Sequence, residues 1–285
     1  MKKSLSYWSF PGGLSGEMPI IEAARSAREA GYQGIELALS WRGELTAETT
    51  DKEVARLRDA LRNEGMQIAG LASVLTWDRL LTAEDAHERQ AAIDLVARGL
   101  RVGAILEAGA FLIIPGAVDV FFRPDLSSIS YSDADERLRR ALDALVPIAE
   151  ECGVALALEN VWNRFLLSPL EVRTLVDAYR SEFLGVYFDV GNVMLTGYPE
   201  DWIRILGHRI RRVHFKDFKR SVGTAEGFVD LLAGDVNWPA VMRALRQIGY
   251  DGFCTAELIP CYRFAPEVRW WNASRAMDAI FAMAG

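Results

Sequence analysis

Cysteine is scarce in this chain. Its 285 residues include only Cys152, Cys254 and Cys261, with no CxxC pair. An odd count without paired spacing argues against a disulfide framework or a thiolate zinc site. Histidine is as rare, with three residues, and HExxH does not occur, which excludes a helix-borne zinc hydrolase centre. No apolar run approaches the ~18 residues needed to span a membrane. The residues before Pro11 include two lysines but no apolar h-region, so no secretory leader is expected. GxxxxGK[ST] and GxSxG are absent. Phe10-Pro11-Gly12-Gly13-Leu14-Ser15-Gly16 has three glycines without the GxGxxG spacing of a dinucleotide site. An excess of basic residues is also missing: 32 Lys and Arg stand against 39 Asp and Glu, a net charge of −7. That balance argues against nucleic acid or an anionic membrane as partner. The expectation is a cytoplasmic enzyme acting on a small molecule.

What the chain does have is alternation. Short apolar or alternating runs recur over 5–10, 34–39, 66–74, 111–115, 154–158, 185–189, 210–215 and 253–258. Between them lie segments of helical period over 20–30, 51–64, 84–108, 133–152, 169–181, 200–206, 239–248 and 267–283. Gly31, Gly65, Gly153 and Gly249 each separate such a segment from the next apolar run, where a left-handed C-cap belongs. Ser168-Pro169 supplies an N-cap hydroxyl and then proline at the first helical position. Strands alternating with helices imply βαβ units and a parallel sheet. Eight units of about 36 residues suit a (β/α)8 TIM barrel better than a doubly wound sheet, which has fewer strands. No linker or low-complexity segment divides the chain, so one domain over residues 1–285 is expected.

The second half carries a recurring oddity. Four consecutive expected strands end in an ionisable residue after an apolar run: Leu158-Glu159-Asn160, Phe188-Asp189-Val190-Gly191-Asn192, Val213-His214-Phe215-Lys216-Asp217 and Ala256-Glu257-Leu258. The C-terminal ends of barrel strands converge on one face, where active sites sit. Any one of these residues could cap a helix or join a salt bridge. Three carboxylates and an imidazole gathered at one face would repel or raise each other's pKa unless a cation held them. Their oxygen-rich set favours Mn²⁺ or Mg²⁺, and the imidazole admits Co²⁺, Zn²⁺ or Fe²⁺.

These same segments resemble the sugar isomerase/epimerase group of the xylose isomerase-like TIM barrels, which includes D-tagatose 3-epimerase and L-ribulose- or L-xylulose-5-phosphate 3-epimerase. The resemblance implies one divalent metal, usually Mn²⁺, held by Glu159, Asp189, His214 and Glu257. It further implies that Glu159 and Glu257 exchange protons with the substrate, while Asp189 and His214 are ligands only. In such a site the metal chelates a ketose through its carbonyl and a neighbouring hydroxyl, acidifies the C–H between them and stabilises a cis-enediolate. Epimerisation and aldose–ketose isomerisation share that intermediate. The expected function is therefore a sugar or sugar-phosphate isomerase/epimerase. The alternative is a lyase or dehydratase acting on a keto-sugar or keto-inositol with the same site. A three-zinc nuclease on this barrel would need more histidines and a more basic surface. A binding protein with a residual site would have lost a ligand, and none is missing.

Other residues allow two readings each. Asn192 stands where free-ketose epimerases of this group have a histidine, and Arg220 stands six residues after His214, where they place a substrate arginine. Lys216, Lys219 and Arg220 either read a sugar phosphate or form a solvated basic turn. Arg164 is either a substrate contact or a surface ion pair. Trp8 either floors a sugar pocket or packs in the core, and Glu36 either meets the substrate or is structural. His87 and His208 are expected at the surface, and Trp270-Trp271 in packing or an oligomer contact. The exposed helices of a barrel are compatible with a homodimer or homotetramer.

Overall fold

Local side-chain chemistry starts and stops the helices. Thr50 and Glu53 form a reciprocal capping box at the head of Asp51–Asn63. The Ser168 hydroxyl accepts from the Glu171 N–H, and Pro169 opens Pro169–Tyr179. Gly31, Gly65, Gly153 and Gly249 all take positive φ, between 63° and 89°, as their positions after helices require. The computed structural model describes residues 1–124 and 126–283. The expected domain span also includes Asp125, Ala284 and Gly285, which lie outside the described residues.

Eight parallel strands close into a barrel: β1 Lys2–Ser6, β2 Gly34–Leu39, β3 Gln67–Ser73, β4 Ala110–Ile113, β5 Ala155–Glu159, β6 Leu184–Asp189, β7 Ile210–Phe215 and β8 Phe253–Ala256. β1 is hydrogen-bonded to both β2 and β8, which completes the circle. A helix of eight or more residues follows each strand, the last being Glu267–Ala282. This is a single TIM barrel domain, as the alternating pattern implied.

The ends of the strands differ from the apolar runs in instructive ways. β1 stops at Ser6, and Tyr7–Ser9 form a 3₁₀ turn capped by the Ser6 hydroxyl. β3 stops at Ser73 and gives way to a helical turn, Leu75–Asp78. β8 stops at Ala256, so Glu257 and Leu258 lie just beyond the ladder. Past β1 and β8 the apolar character continues because Tyr7, Trp8, Phe10 and Leu258 stay buried, and past β3 Val74 is half-buried. After β7, a short antiparallel pair, Asp217–Phe218 with Phe228–Val229, opens the next loop. Asp217 organises that loop: its buried carboxylate accepts from the N–H groups of Phe218, Leu232 and Val236 and from the Trp238 indole. Among the described residues no helix is long and apolar enough to cross a membrane.

Polar groups also cross the barrel interior. Tyr187 on β6 reaches over to donate its hydroxyl to Glu36 on β2, and both are fully buried. That path runs past Gly70 on β3, where a Cβ would stand 2.6 Å from the Tyr187 hydroxyl oxygen. Gly70→Ala is expected to displace Tyr187 and destabilise the fold by about 1–3 kcal/mol, as overpacking does. A melting temperature equal to that of the parent would contradict this.

Candidate metal centre

The register pairs only two of the four strand-end residues directly, and Glu257 lies two residues beyond Thr255, the β8 partner of His214. Asp189 is the β-partner of His214, and Glu159 closes β5 beside Tyr187 on β6. One potential ligand atom from each of Glu159, Asp189, His214 and Glu257 lies within 4.8 Å of the others, and all four residues are buried. The His214 Nδ1 faces the carboxylates, at 2.7 Å from Glu257 Oε2, 3.4 Å from Glu159 Oε1 and 3.8 Å from Asp189 Oδ2.

The other imidazole nitrogen decides how this one is presented. His214 Nε2 lies 2.8 Å from Glu36 Oε2, a carboxylate oxygen that accepts. Nε2 therefore carries a proton and donates it, which aims the Nδ1 lone pair at the cluster once that nitrogen is unprotonated. Glu36 is thus a positioning residue for the histidine. The sequence reading left it between a substrate contact and a structural carboxylate, because only the closed barrel brings β2 across to β7.

Asp189 is fixed just as firmly. Its Oδ1 accepts from the Asn192 N–H at 2.7 Å, capping the turn Val190–Val193. Asn160 clasps the Asp189 backbone twice, and the Asn192 side-chain amide donates to the Asn160 carbonyl. Gly191 is required because a Cβ there would sit 2.5 Å from the Lys216 Cβ. The Asp-Val-Gly-Asn motif thus leaves Asp189 Oδ2 pointing inward.

Asp189 Oδ2 and Glu257 Oε2 are buried without a well-directed hydrogen bond, and only the Lys216 ammonium at 3.1 Å and His214 Nδ1 at 2.7 Å stand against them. Such buried carboxylates need positive charge beside them. Three converging carboxylates and an aligned imidazole fit a divalent cation with hard-donor preference.

Lys216 enters the same cluster, its ammonium 2.8 Å from Glu257 Oε1 and 3.1 Å from Asp189 Oδ2. The resulting field separates the two glutamates. Burial pushes the Glu159 carboxyl up to about 7. Burial also opposes ionisation of Glu257, but Lys216 and His214 outweigh it and hold that carboxyl at about 2. For His214 itself, burial disfavours the charge, yet Glu36 and Glu257 raise its pKa well above the imidazole range.

The remaining expected site residues are dispersed around the mouth. Lys216 lies inside the ligand cluster, not in a solvated turn. Asn192 and Arg164 line a cavity of about 620 Å³ over the loops after β4 to β7, where Arg164 pairs with Asp119 at 3.1 Å. Arg220 turns elsewhere: its guanidinium bonds the Gly197 carbonyl and lies 4.7 Å over the Tyr198 ring in a separate surface pocket. Lys219 is exposed. Trp8 is 6% exposed, and its indole N–H has no partner. His87 and His208 are exposed as expected. Trp270 packs on Phe10, while Trp271 is exposed.

Comparison with known proteins places this geometry in context. The family described as xylose isomerase-like TIM barrel matches residues 24–277. The chain is 24% identical over 280 residues to fructoselysine 3-epimerase of Escherichia coli O157:H7, covering 93% of this chain and 94% of that protein. It is 29% identical over 158 residues to the uncharacterized protein MJ1311 of Methanocaldococcus jannaschii, a match spanning 53% of this chain and about half, 51%, of that relative's length. In fold it resembles D-psicose 3-epimerase from Clostridium cellulolyticum H10, with TM-score 0.80, 15% identity and 99% of each chain covered.

Two outcomes test the centre. Glu36→Gln is expected to weaken Mn²⁺ binding about tenfold or more in a folded protein, since partners that orient a ligand carry that much affinity. Metal-free Glu159 and His214 hold protons near pH 7, and binding requires both to lose them. Affinity should therefore rise by about tenfold or more from pH 6 to pH 8, with protons released, in calorimetry with buffers of different ionisation enthalpy. A pH-independent affinity would contradict the protonated resting state.

Proposed function

The chain belongs to the xylose isomerase-like TIM barrel family, and from that premise we propose that it is a divalent-metal-dependent sugar epimerase or isomerase. The observation that carries this reading is the buried cluster of Glu159, Asp189, His214 and Glu257, in which two glutamates reach one point from the separate strands β5 and β8. Two carboxyl groups that approach one point from different sides are the equipment for removing a proton and returning one. The full-length similarity to fructoselysine 3-epimerase supports the same chemistry.

A divalent ion bound by these four residues, Mn²⁺ first among the candidates, would supply Lewis acidity at the sugar carbonyl and a neighbouring hydroxyl. Glu257, ionised beside Lys216, removes the proton from the carbon between those two groups. The product of that step is a planar cis-enediolate. Glu159, unprotonated once it holds the ion, passes a proton drawn from water to the other face, because β6 and β7 separate β5 from β8 in the barrel. In the reverse direction the roles exchange. Lys216 offers N–H donors to the oxygen on which negative charge develops. Asp189 and His214 stay fixed, held by Asn192 and Glu36 respectively.

Trp8 is assigned to the substrate because its buried indole N–H lacks a protein acceptor, and a sugar hydroxyl would satisfy it. Asn192 and Arg164 belong to the same mouth through the cavity they line. Arg220, engaged with Tyr198, is left out of this set.

The test is deuterium uptake from D₂O into a panel of ketoses, free and phosphorylated, with Mn²⁺ present, read by NMR. Exchange at one carbon is expected. Glu159→Gln and Glu257→Gln should each lower it by about a hundredfold or more while the protein stays folded. Near-normal exchange in either variant would remove the paired-carboxylate mechanism. Loss of water from the sugar in place of exchange would move the assignment to a dehydratase.

A further inference from the structure

The cavity beside the metal centre has a composition that a small free sugar does not call for. It encloses about 620 Å³, a volume typical of sites that hold a drug-sized ligand and more than one hexose needs. Phe121, Trp162, Leu166, Leu167, Leu195 and Trp202 supply its apolar wall. Phe121, Leu167 and Leu195 are 61%, 57% and 42% exposed. That leaves apolar surface open to water at a catalytic mouth, and burying it against a ligand would be favourable.

The charged groups on the wall are few. Among the described lining residues they are Asp119, Arg164 and Glu226. Arg164 is already paired with Asp119, so the unbalanced charge is the negative one of Glu226. A phosphate dianion would meet repulsion here.

The cavity adjoins the chemistry through two contacts. Asn160 and Asn192 line it and also clasp Asp189. Trp162 stacks on Phe228 at 5.1 Å, and the Lys216 ammonium lies 5.5 Å from the centre of the Phe228 ring. One aromatic ring thus separates the cavity wall from the ammonium that touches two ligand carboxylates.

We infer that the substrate is a sugar bearing a neutral apolar substituent, aryl or alkyl, which occupies this cavity while the sugar engages the metal centre. This rests on the epimerase or isomerase reading above and narrows it to sugar conjugates, in place of free or phosphorylated sugars. Trp162 and Phe121, with ring centres 6.2 Å apart, present aromatic surface to such a group.

The test uses the Mn²⁺-loaded protein and four probes: D-fructose, D-fructose 6-phosphate, 1-deoxy-1-anilino-D-fructose and 6-O-benzyl-D-fructose. Calorimetry should show at least one aromatic probe binding tenfold or more tightly than D-fructose, with the phosphate binding no more tightly than D-fructose. Leu167→Asp with Leu195→Asp, both at exposed positions, should reduce that advantage at least fivefold at unchanged melting temperature and metal content. Phe121→Ala provides a second variant with the same expected direction. Equal affinities, a preference for the phosphate, or an advantage that survives both variants would overturn the inference. Deuterium uptake on the same samples separates the two readings. An aromatic preference without exchange would remove the epimerase assignment and keep the occupant of the cavity. Exchange without the preference would do the reverse.

Discussion

The hydrogen bond between His214 and Glu36 is the contact on which the centre depends. It crosses the barrel interior, takes the proton of one imidazole nitrogen and thereby assigns the other to the carboxylates. Tyr187 donates to the same Glu36 oxygen, so the acceptor is itself held in place. A chain from β6 through β2 to β7 spans the barrel at the level just beneath the ligands. Gly70 makes room for this chain, and the second Glu36 carboxylate oxygen is buried without a hydrogen-bond partner.

Around that chain the loops after β5, β6 and β7 are shaped by side chains that do no chemistry. The Asn160 side chain holds both backbone groups of Asp189, and the Asn192 N–H donates to one of its carboxylate oxygens, leaving the other toward the site. Asp217 anchors the loop that begins the β7–β8 connection, with four donors converging on one carboxylate. Both arrangements convert a short motif into a rigid mouth. The motif residues that look conspicuous as polar groups thus divide into those that face the substrate and those that hold the first kind still.

Electrostatics gives the two glutamates different characters although they arise from the same kind of strand end. Glu257 lies against the Lys216 ammonium and the imidazole, and so stays ionised. Glu159 is farther from compensation, so burial dominates and it holds its proton to about neutral pH. The rim outside the cluster is of another kind, apolar and aromatic.

The barrel was legible in the sequence, because eight apolar runs, eight helical segments and their caps are local signals with fixed periods. The meeting of Glu159, Asp189, His214 and Glu257 was legible for the same reason: an ionisable residue after a buried run at consecutive strand ends has one place to go in a closed parallel sheet. Glu36 was not, since it stands third of six residues in β2 and acquires its role only when β2 faces β7 across the interior. Lys216 and Arg220, four residues apart and alike in sequence, were separated only by the fold. One is drawn in by Asp189 and Glu257, and the other is turned outward onto Tyr198. Sequence alone determines which residues carry charge and which elements bear them. The tertiary structure decides which charges meet, because barrel closure and loop packing join residues as distant as Glu36 and His214, 178 positions apart.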